Sequence, residues 1–216
     1  RLGFGGLLER IRTCRAEHPD PDLAFYGGLE DVVSGVQNWI RNHVEAARRL
    51  AASERDPAIR QNLEEMAEIN SVLVTDPPGT FRQACQWTVW YQMAARMYNG
   101  SGAVGRLDHY FLPFYRRDIA AERLTDEEAI LHLACLNLAD PQYYHVGGID
   151  KHGNDATNPV SFLLLKAVRR LRIPANVSVG VHRTMDPKLM QLASEMLFKD
   201  NQGIPRFFGP ENIGQG

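Results

Sequence analysis

Asn176-Val177-Ser178-Val179-Gly180-Val181-His182 is followed by Asp186-Pro187 and then, after a run with Leu189, Leu192, Ala193 and Met196, by Ile204-Pro205-Arg206-Phe207-Phe208. The first heptapeptide alternates: Val177, Val179 and Val181 share one face, and Ser178, Gly180 and His182 share the other. The middle run repeats its apolar residues at helical spacing behind an Asp-Pro start, and the last reads as a short second strand. Strand, helix and strand with short links make a βαβ unit, which implies parallel pairing with helical cover. In a barrel built this way the valines face the outer helices, and Ser178 and His182 line the interior.

Upstream of this unit the period is helical. Val36, Ile40, Val44, Ala47 and Leu50 form one apolar stripe from 36 to 52. Asp56-Pro57 is an N-cap followed by proline, opening a helix with Ile59, Leu63, Met66 and Ile69 that ends before Asp76-Pro77-Pro78-Gly79. Thr80 with Gln83 is a capping box, and the helix it opens, from Phe81 to about Tyr98, is apolar around most of its circumference. Thr125 with Glu128 is another, opening a helix through Ile130, Leu133, Ala134 and Leu138; a further helix runs from about Pro159 to Leu171. The fold class is therefore α/β and mostly helical, with a helical region over about 1–140 and a βαβ barrel portion over about 141–216. No linker or internal repeat divides the chain, which is read as a single domain fragment.

Composition narrows the function. The 216 residues carry 24 Lys+Arg and 26 Asp+Glu, a net charge of −2 with the signs interspersed, which excludes the basic field of a non-specific nucleic-acid binder. No apolar run approaches the roughly 20 residues of a membrane span. Three widely spaced cysteines, Cys14, Cys85 and Cys135, suit reduced intracellular thiols better than a disulfide framework. The chain opens on Arg1 rather than Met and carries no signal-peptide pattern, so it is read as a piece of a longer protein.

Physical motifs alone leave the chemistry open. His145, Asp150, His152 and Asp155 are potential metal ligands, but their spacing fits no standard pattern and the segment is rich in turn residues, so it is read as a solvated loop without metal. Gly105-Arg106-Leu107-Asp108-His109-Tyr110 reads as a loop in which Arg106 and Asp108 form a buried ion pair. Cys85 and Cys135 lie on amphipathic helices and read as small core hydrophobes.

Several blocks together carry a resemblance. Asp76-Pro77-Pro78-Gly79-Thr80-Phe81-Arg82-Gln83-Ala84-Cys85-Gln86, Asn99-Gly100-Ser101, Gly105 to Tyr115, Val146-Gly147-Gly148, Asp155-Ala156-Thr157-Asn158, Arg172 to Val179 and Gly203 to Phe208 follow in order over nearly the whole chain. In that order they resemble the central region of glycyl radical enzymes of the pyruvate formate-lyase and diol-dehydratase superfamily.

The resemblance implies a ten-stranded α/β barrel wrapped by helices, of which this chain is part. It also implies lyase or dehydratase chemistry in anaerobic cytoplasm, in which a thiyl radical on a cysteine loop abstracts hydrogen from a small organic substrate. The glycyl radical that generates the thiyl is installed by a separate activating enzyme using S-adenosylmethionine and an iron–sulfur cluster; no cofactor is bound directly. Partners implied are the small-molecule substrate, the activating enzyme, the remainder of the barrel and a second copy in a homodimer. The cysteine loop is expected a short distance beyond Gly216 and the glycine loop farther on, so no residue of this chain is carried over as radical-bearing. What remains is pocket wall. The segment before Val146-Gly147-Gly148 brings an aromatic residue over the substrate in many relatives; here Pro141 falls near that position, with Gln142 and Tyr143 beside it. Gln86 and Trp87, near the start of the buried helix, match another contact region. Each of these reads either as a pocket contact or as core packing. The alternative function is a degenerate or split fragment acting as a structural subunit, and the mass of the natural polypeptide, near that of 216 residues or several-fold larger, separates the two.

Overall fold

The computed structural model describes residues 2–98, 100, 103–141 and 143–209. The chain forms two compact units, 1–79 and 80–216. Among the described residues no helix is long and apolar enough to cross a membrane.

The first unit is helical: α1 (Gly3–Glu17), α2 (Leu23–Ser53) and α3 (Pro57–Leu73). Asp56 accepts from the backbone N–H groups of Ala58 and Ile59 with Pro57 at the first position, the start read from the sequence. Of the α2 stripe, Val36, Ile40, Val44 and Ala47 are buried, with Ala67 and Leu73 of α3, but Leu50 is exposed and Ala51 takes the inward position, one residue farther round the helix. Helix α2 begins thirteen residues before its periodic stripe, at an Asp22 cap whose side chain accepts from Phe25 N–H. Gly27, Gly28 and Gly35, weak helix formers, and the exposed Leu23, Phe25 and Val32 hide this first half from a periodicity reading. Gly5 N–H donates to the Thr75 carbonyl at 2.8 Å, and a Cβ on Gly5 would stand 2.8 Å from the same oxygen, so this contact requires glycine.

The second unit is a four-stranded parallel sheet, order β1-β2-β3-β4, with helices between its strands. Its elements are α4 (Phe81–Arg96), β1 (Ala103–Arg106), α5 (Leu107–Ala120), α6 (Asp126–Ala139), β2 (Tyr143–Gly147), α7 (Pro159–Leu171), β3 (Val177–Gly180), α8 (Pro187–Phe198) and β4 (Arg206–Phe208). The capping boxes at Thr80/Gln83 and Thr125/Glu128 form as read, and Asn158/Ser161 forms a third at the head of α7. The pairing of β3 with β4 is parallel, and Val177 and Val179 are fully buried with Val146 and with Leu163, Leu164 and Val168 of α7.

Two elements depart from the sequence reading. The stretch around Gly105 is not a loop but β1 running straight into α5, and it falls inside the segment read as helical. Helix α5 contains Pro113, which masks its period, and β1 has only four residues with Gly105 at φ +67°. The expected Arg106–Asp108 ion pair does not form. Asp108 is fully buried and accepts from His109 N–H (2.7 Å), Gly147 N–H (2.7 Å) and the Ser161 hydroxyl (2.6 Å), while Arg106 donates through one terminal nitrogen to the Ile149 carbonyl. A carboxylate already given three donors from three elements has no need of the guanidinium.

Glycine sets the spacing between β3 and the turn after β2. A Cβ on Gly180 would stand 2.6 Å from Gly148 Cα and 2.8 Å from Gly148 N, both backbone atoms. Gly180→Ala is expected to destabilise the protein by about 1–3 kcal/mol through overpacking, measured as a lower denaturant midpoint. Asp108→Ala is expected to cost about 2–4 kcal/mol in the same measurement, because it leaves the Gly147 N–H and the Ser161 hydroxyl buried without an acceptor.

Candidate functional site on the open face of the sheet

The valine face of the sheet is covered by helices; the opposite face borders a cavity of about 620 Å³. Tyr143, His145 and Ser178 line it, with Gly105, Tyr144 and Phe208 among their neighbours. The placement follows from strand parity: Tyr143 and His145 lie two apart on β2, and Ser178 is the cross-strand partner of His145 on β3. Tyr144 points the other way, is buried, and donates its hydroxyl to Asn137 of α6 at 3.0 Å, which fixes β2 against that helix.

The His145 ring meets Phe208 edge-on, with centroids 5.4 Å apart and an interplanar angle of 81°. Burial, and then the charge of Arg106, lower its pKa below the ordinary histidine value against a smaller opposing pull from Asp108. Near neutral pH the cavity therefore offers a neutral imidazole, a serine hydroxyl and a tyrosine. These groups exchange hydrogen bonds with a small polar molecule, and Phe208 supplies apolar contact.

The residues singled out from sequence are distributed as follows. Tyr143 is about two-fifths exposed and lies under the Arg206 guanidinium, 5.9 Å from its ring centroid. Ser178 is half-buried in the cavity lining. Pro141 precedes β2, and its carbonyl accepts from the Asn176 side chain at 3.0 Å. Gln142 lies outside the described residues. Gln86 and Trp87 sit half-buried on α4, where Trp87 stacks on Tyr91 (5.7 Å, 9°), and neither is among the cavity lining. His182 lies past the end of β3, with Nε2 3.2 Å from Asp155 Oδ1 and Nδ1 3.2 Å from the Thr184 hydroxyl. Sequence reasoning missed His145 and Phe208 as lining residues. The alternation Tyr143-x-His145-x-Gly147 is the signal that could have placed His145.

The loop cluster read as solvated divides. Asp150 caps its own turn, accepting from the backbone of His152 and Asn154, and is half-buried. Asp155 instead joins two loops: it accepts from the Thr157 backbone and hydroxyl, from His182 and from Asp186 N–H. His145, Asp150, His152 and Asp155 do not converge; among the described residues no three side chains of metal-ligating type cluster. The three cysteines stand on α1, α4 and α6, and none lines the cavity; Cys85 is in the core as read, but Cys135 is on the exposed side of α6 rather than in the core. Burial, and then Cys135, push the Cys85 thiol far above its ordinary pKa, which keeps it protonated and inert.

A family model described as pyruvate formate lyase-like matches residues 1–215. The chain belongs to the pyruvate formate lyase-like family of glycyl radical enzymes. It is 30% identical to an isethionate sulfite-lyase of Nitratidesulfovibrio vulgaris, over 95% of this chain and 28% of that protein. The structure of a glycyl radical enzyme from Archaeoglobus fulgidus superposes with a TM-score of 0.80 at 29% identity, covering 91% of this chain and 29% of the other. A structure concerned with 1,2-propanediol dehydration in Roseburia inulinivorans superposes with a TM-score of 0.87 at 26% identity, covering 97% and 30%. The chain thus spans less than a third of the length of these relatives, and its four strands are part of an α/β barrel of this family.

Asp155 generates a pH prediction. Burial alone would raise its carboxyl, but the donors from Thr157, His182 and Asp186 outweigh burial and hold it below the ordinary carboxylate value. A lowered folded-state pKa contributes stability that is present above the unfolded value near pH ~4 and is lost as pH falls through the folded value. The stability difference between the wild type and Asp155→Asn is therefore expected to be largest near neutral pH and to shrink below about pH 4, followed by chemical denaturation across that range.

Proposed function

We propose that this chain is the central segment of a glycyl radical lyase, of formate-lyase, dehydratase or decarboxylase type, and that the open face of its sheet is one wall of the substrate chamber. The observation that carries the reading is the cavity over Tyr143, His145 and Ser178, on the sheet face that the helices leave uncovered, in a chain matched to the family over 1–215. In such an enzyme the glycyl radical, installed by a separate S-adenosylmethionine iron–sulfur activating enzyme, supplies a thiyl that removes hydrogen from the substrate. The residues of this chain do the binding. Tyr143 and Phe208 shape an apolar floor and side. Neutral His145 and the Ser178 hydroxyl hold polar groups of a small organic substrate, and the buried helical layer behind the valines keeps this wall rigid. With Cys14, Cys85 and Cys135 all away from the cavity, the radical-bearing groups come from the remainder of the barrel. The same reading includes a homodimer working in anaerobic cytoplasm.

The native protein containing this chain is expected to develop a glycyl radical signal in electron paramagnetic resonance after anaerobic incubation with its activating enzyme and S-adenosylmethionine. Admission of air should abolish the signal. A protein that stays silent under conditions that activate its relatives overturns the reading in favour of a structural subunit.

A further inference from the structure

The end of β3 is held by a side chain that is not among the cavity lining. His182 lies two residues past the strand, and its side chain is only 8% exposed. Its Nε2–H donates to Asp155 Oδ1 at 3.2 Å and the Thr184 hydroxyl lies 3.2 Å from Nδ1, so both ring nitrogens are engaged. Asp155 is itself fixed relative to β2. It forms a bridge with Ile149, and the N–H of the next residue, Ala156, donates to the Gly148 carbonyl at 2.9 Å. Its carboxylate also accepts from Thr157 and from Asp186 N–H at the head of α8. The imidazole therefore ties the chain leaving β3 to the chain leaving β2.

From His182 the contacts lead into the cavity. Val181 N–H, one residue before it, donates to the Phe208 carbonyl at 2.8 Å. The Phe208 ring lies over Gly180, where a Cβ would stand 3.2 Å from its Cζ. Strand β4 has three residues and, among the described residues, pairs only with β3, so Phe208 stands where the end of β3 puts it. Gly180 has no side chain with which to anchor that end, and His182 is the first residue after it with a hydrogen-bonded side chain. The Phe208 ring in turn meets His145 edge-on with centroids 5.4 Å apart. Among the described residues the His145 ring makes no hydrogen bond, so packing is what orients it. The charged groups acting on His145 are Arg106 of β1 and Asp108 of α5, both weaker influences than burial, to which Phe208 contributes.

We propose that His182, held by Asp155, is a positioning residue of the chamber: it sets the end of β3 so that Phe208 closes over His145 and keeps that imidazole shielded and in one orientation. His182 acts through Phe208 and not on the substrate. A binding wall needs its groups held to within about 10–20° of the productive orientation, and a ring without hydrogen bonds of its own meets that demand only if the ring beside it is fixed. This deepens the lyase reading above and rests on it for the claim that the wall receives a substrate; the positioning itself does not need the radical.

The test reads His145 directly. Diethyl pyrocarbonate acylates accessible neutral imidazoles, and peptide mass mapping follows each histidine separately across pH. In the native, unactivated protein His145 is expected to react more slowly than the exposed His43 of the first unit and to keep its neutral-form reactivity to lower pH. His182→Ala is expected to raise the limiting rate at His145 by about threefold or more and to move the midpoint of its pH profile up toward the ordinary histidine value, with His43 unchanged. His182→Gln keeps an N–H donor for Asp155 and is expected to restore most of the wild-type profile. Should His182→Ala fail to fold, Asp155→Asn weakens the same hydrogen bond and is expected to move His145 in the same direction by less. An unchanged His145 profile in these variants, a rise shared by every histidine, or no rescue by His182→Gln overturns the proposal. A displaced His145 in a protein that never forms a glycyl radical would instead sink the lyase reading and leave the positioning standing, and a radical-forming protein with His145 unmoved does the reverse.

Discussion

The second unit depends on one buried carboxylate. Asp108 sits at the start of α5, and its two oxygens collect the first turn of that helix, the end of β2 through Gly147 and the head of α7 through Ser161. These partners are 39 and 53 residues away in the chain. A fully buried charge is tolerable only where its lone pairs are filled, so the three elements are held in one arrangement by the cost of any other. That arrangement in turn places β1 beside β2. Asp118 repeats the device at the other end of α5, accepting from Phe81 N–H at the first residue of α4.

With the strands so placed, the two faces of the sheet diverge. Val146, Val177 and Val179 are covered by α7 and its neighbours and take no part in chemistry. The turn after β2 can lie against β3 because Gly180 lacks a side chain, and Gly147 and Gly148 within the turn both have positive φ. Tyr143, His145 and Ser178 occupy the face opposite the valines. The polar residues are thus not scattered in a loop but fixed on a rigid sheet, which is the condition for a precise binding wall.

Much of this was legible in the residues. The helix starts were, because an N-cap and its box are local hydrogen-bonding events within four residues: Asp56, Thr80 and Thr125 each act within their own turn. The parity of β3 was, because burial of alternate valines is a period-two statement. The first half of α2 was not, since its glycines and exposed apolar residues carry no stripe, and α5 was not, since Pro113 interrupts its period. Of the candidate pocket residues, Tyr143 and Ser178 reach the same cavity, while His182 turns to Asp155 and Trp87 stacks on Tyr91. A residue two positions past the end of a strand, as His182 is past β3, is governed by its loop, not by the strand's alternation.

By itself the sequence determined the α/β class, most helix boundaries, the inward valines of β3 and the superfamily, all of which rest on local periodicity, local capping or collinear motifs. Only the tertiary structure decided that Asp108 binds Gly147 and Ser161 rather than Arg106, that Gly105 begins a strand-to-helix junction, and that Arg106, His145, Ser178 and Arg206 stand in one line. The reason is physical: register between parallel strands is set by crossover helices and by backbone contacts between glycines distant in the chain, and no period within a single strand encodes it.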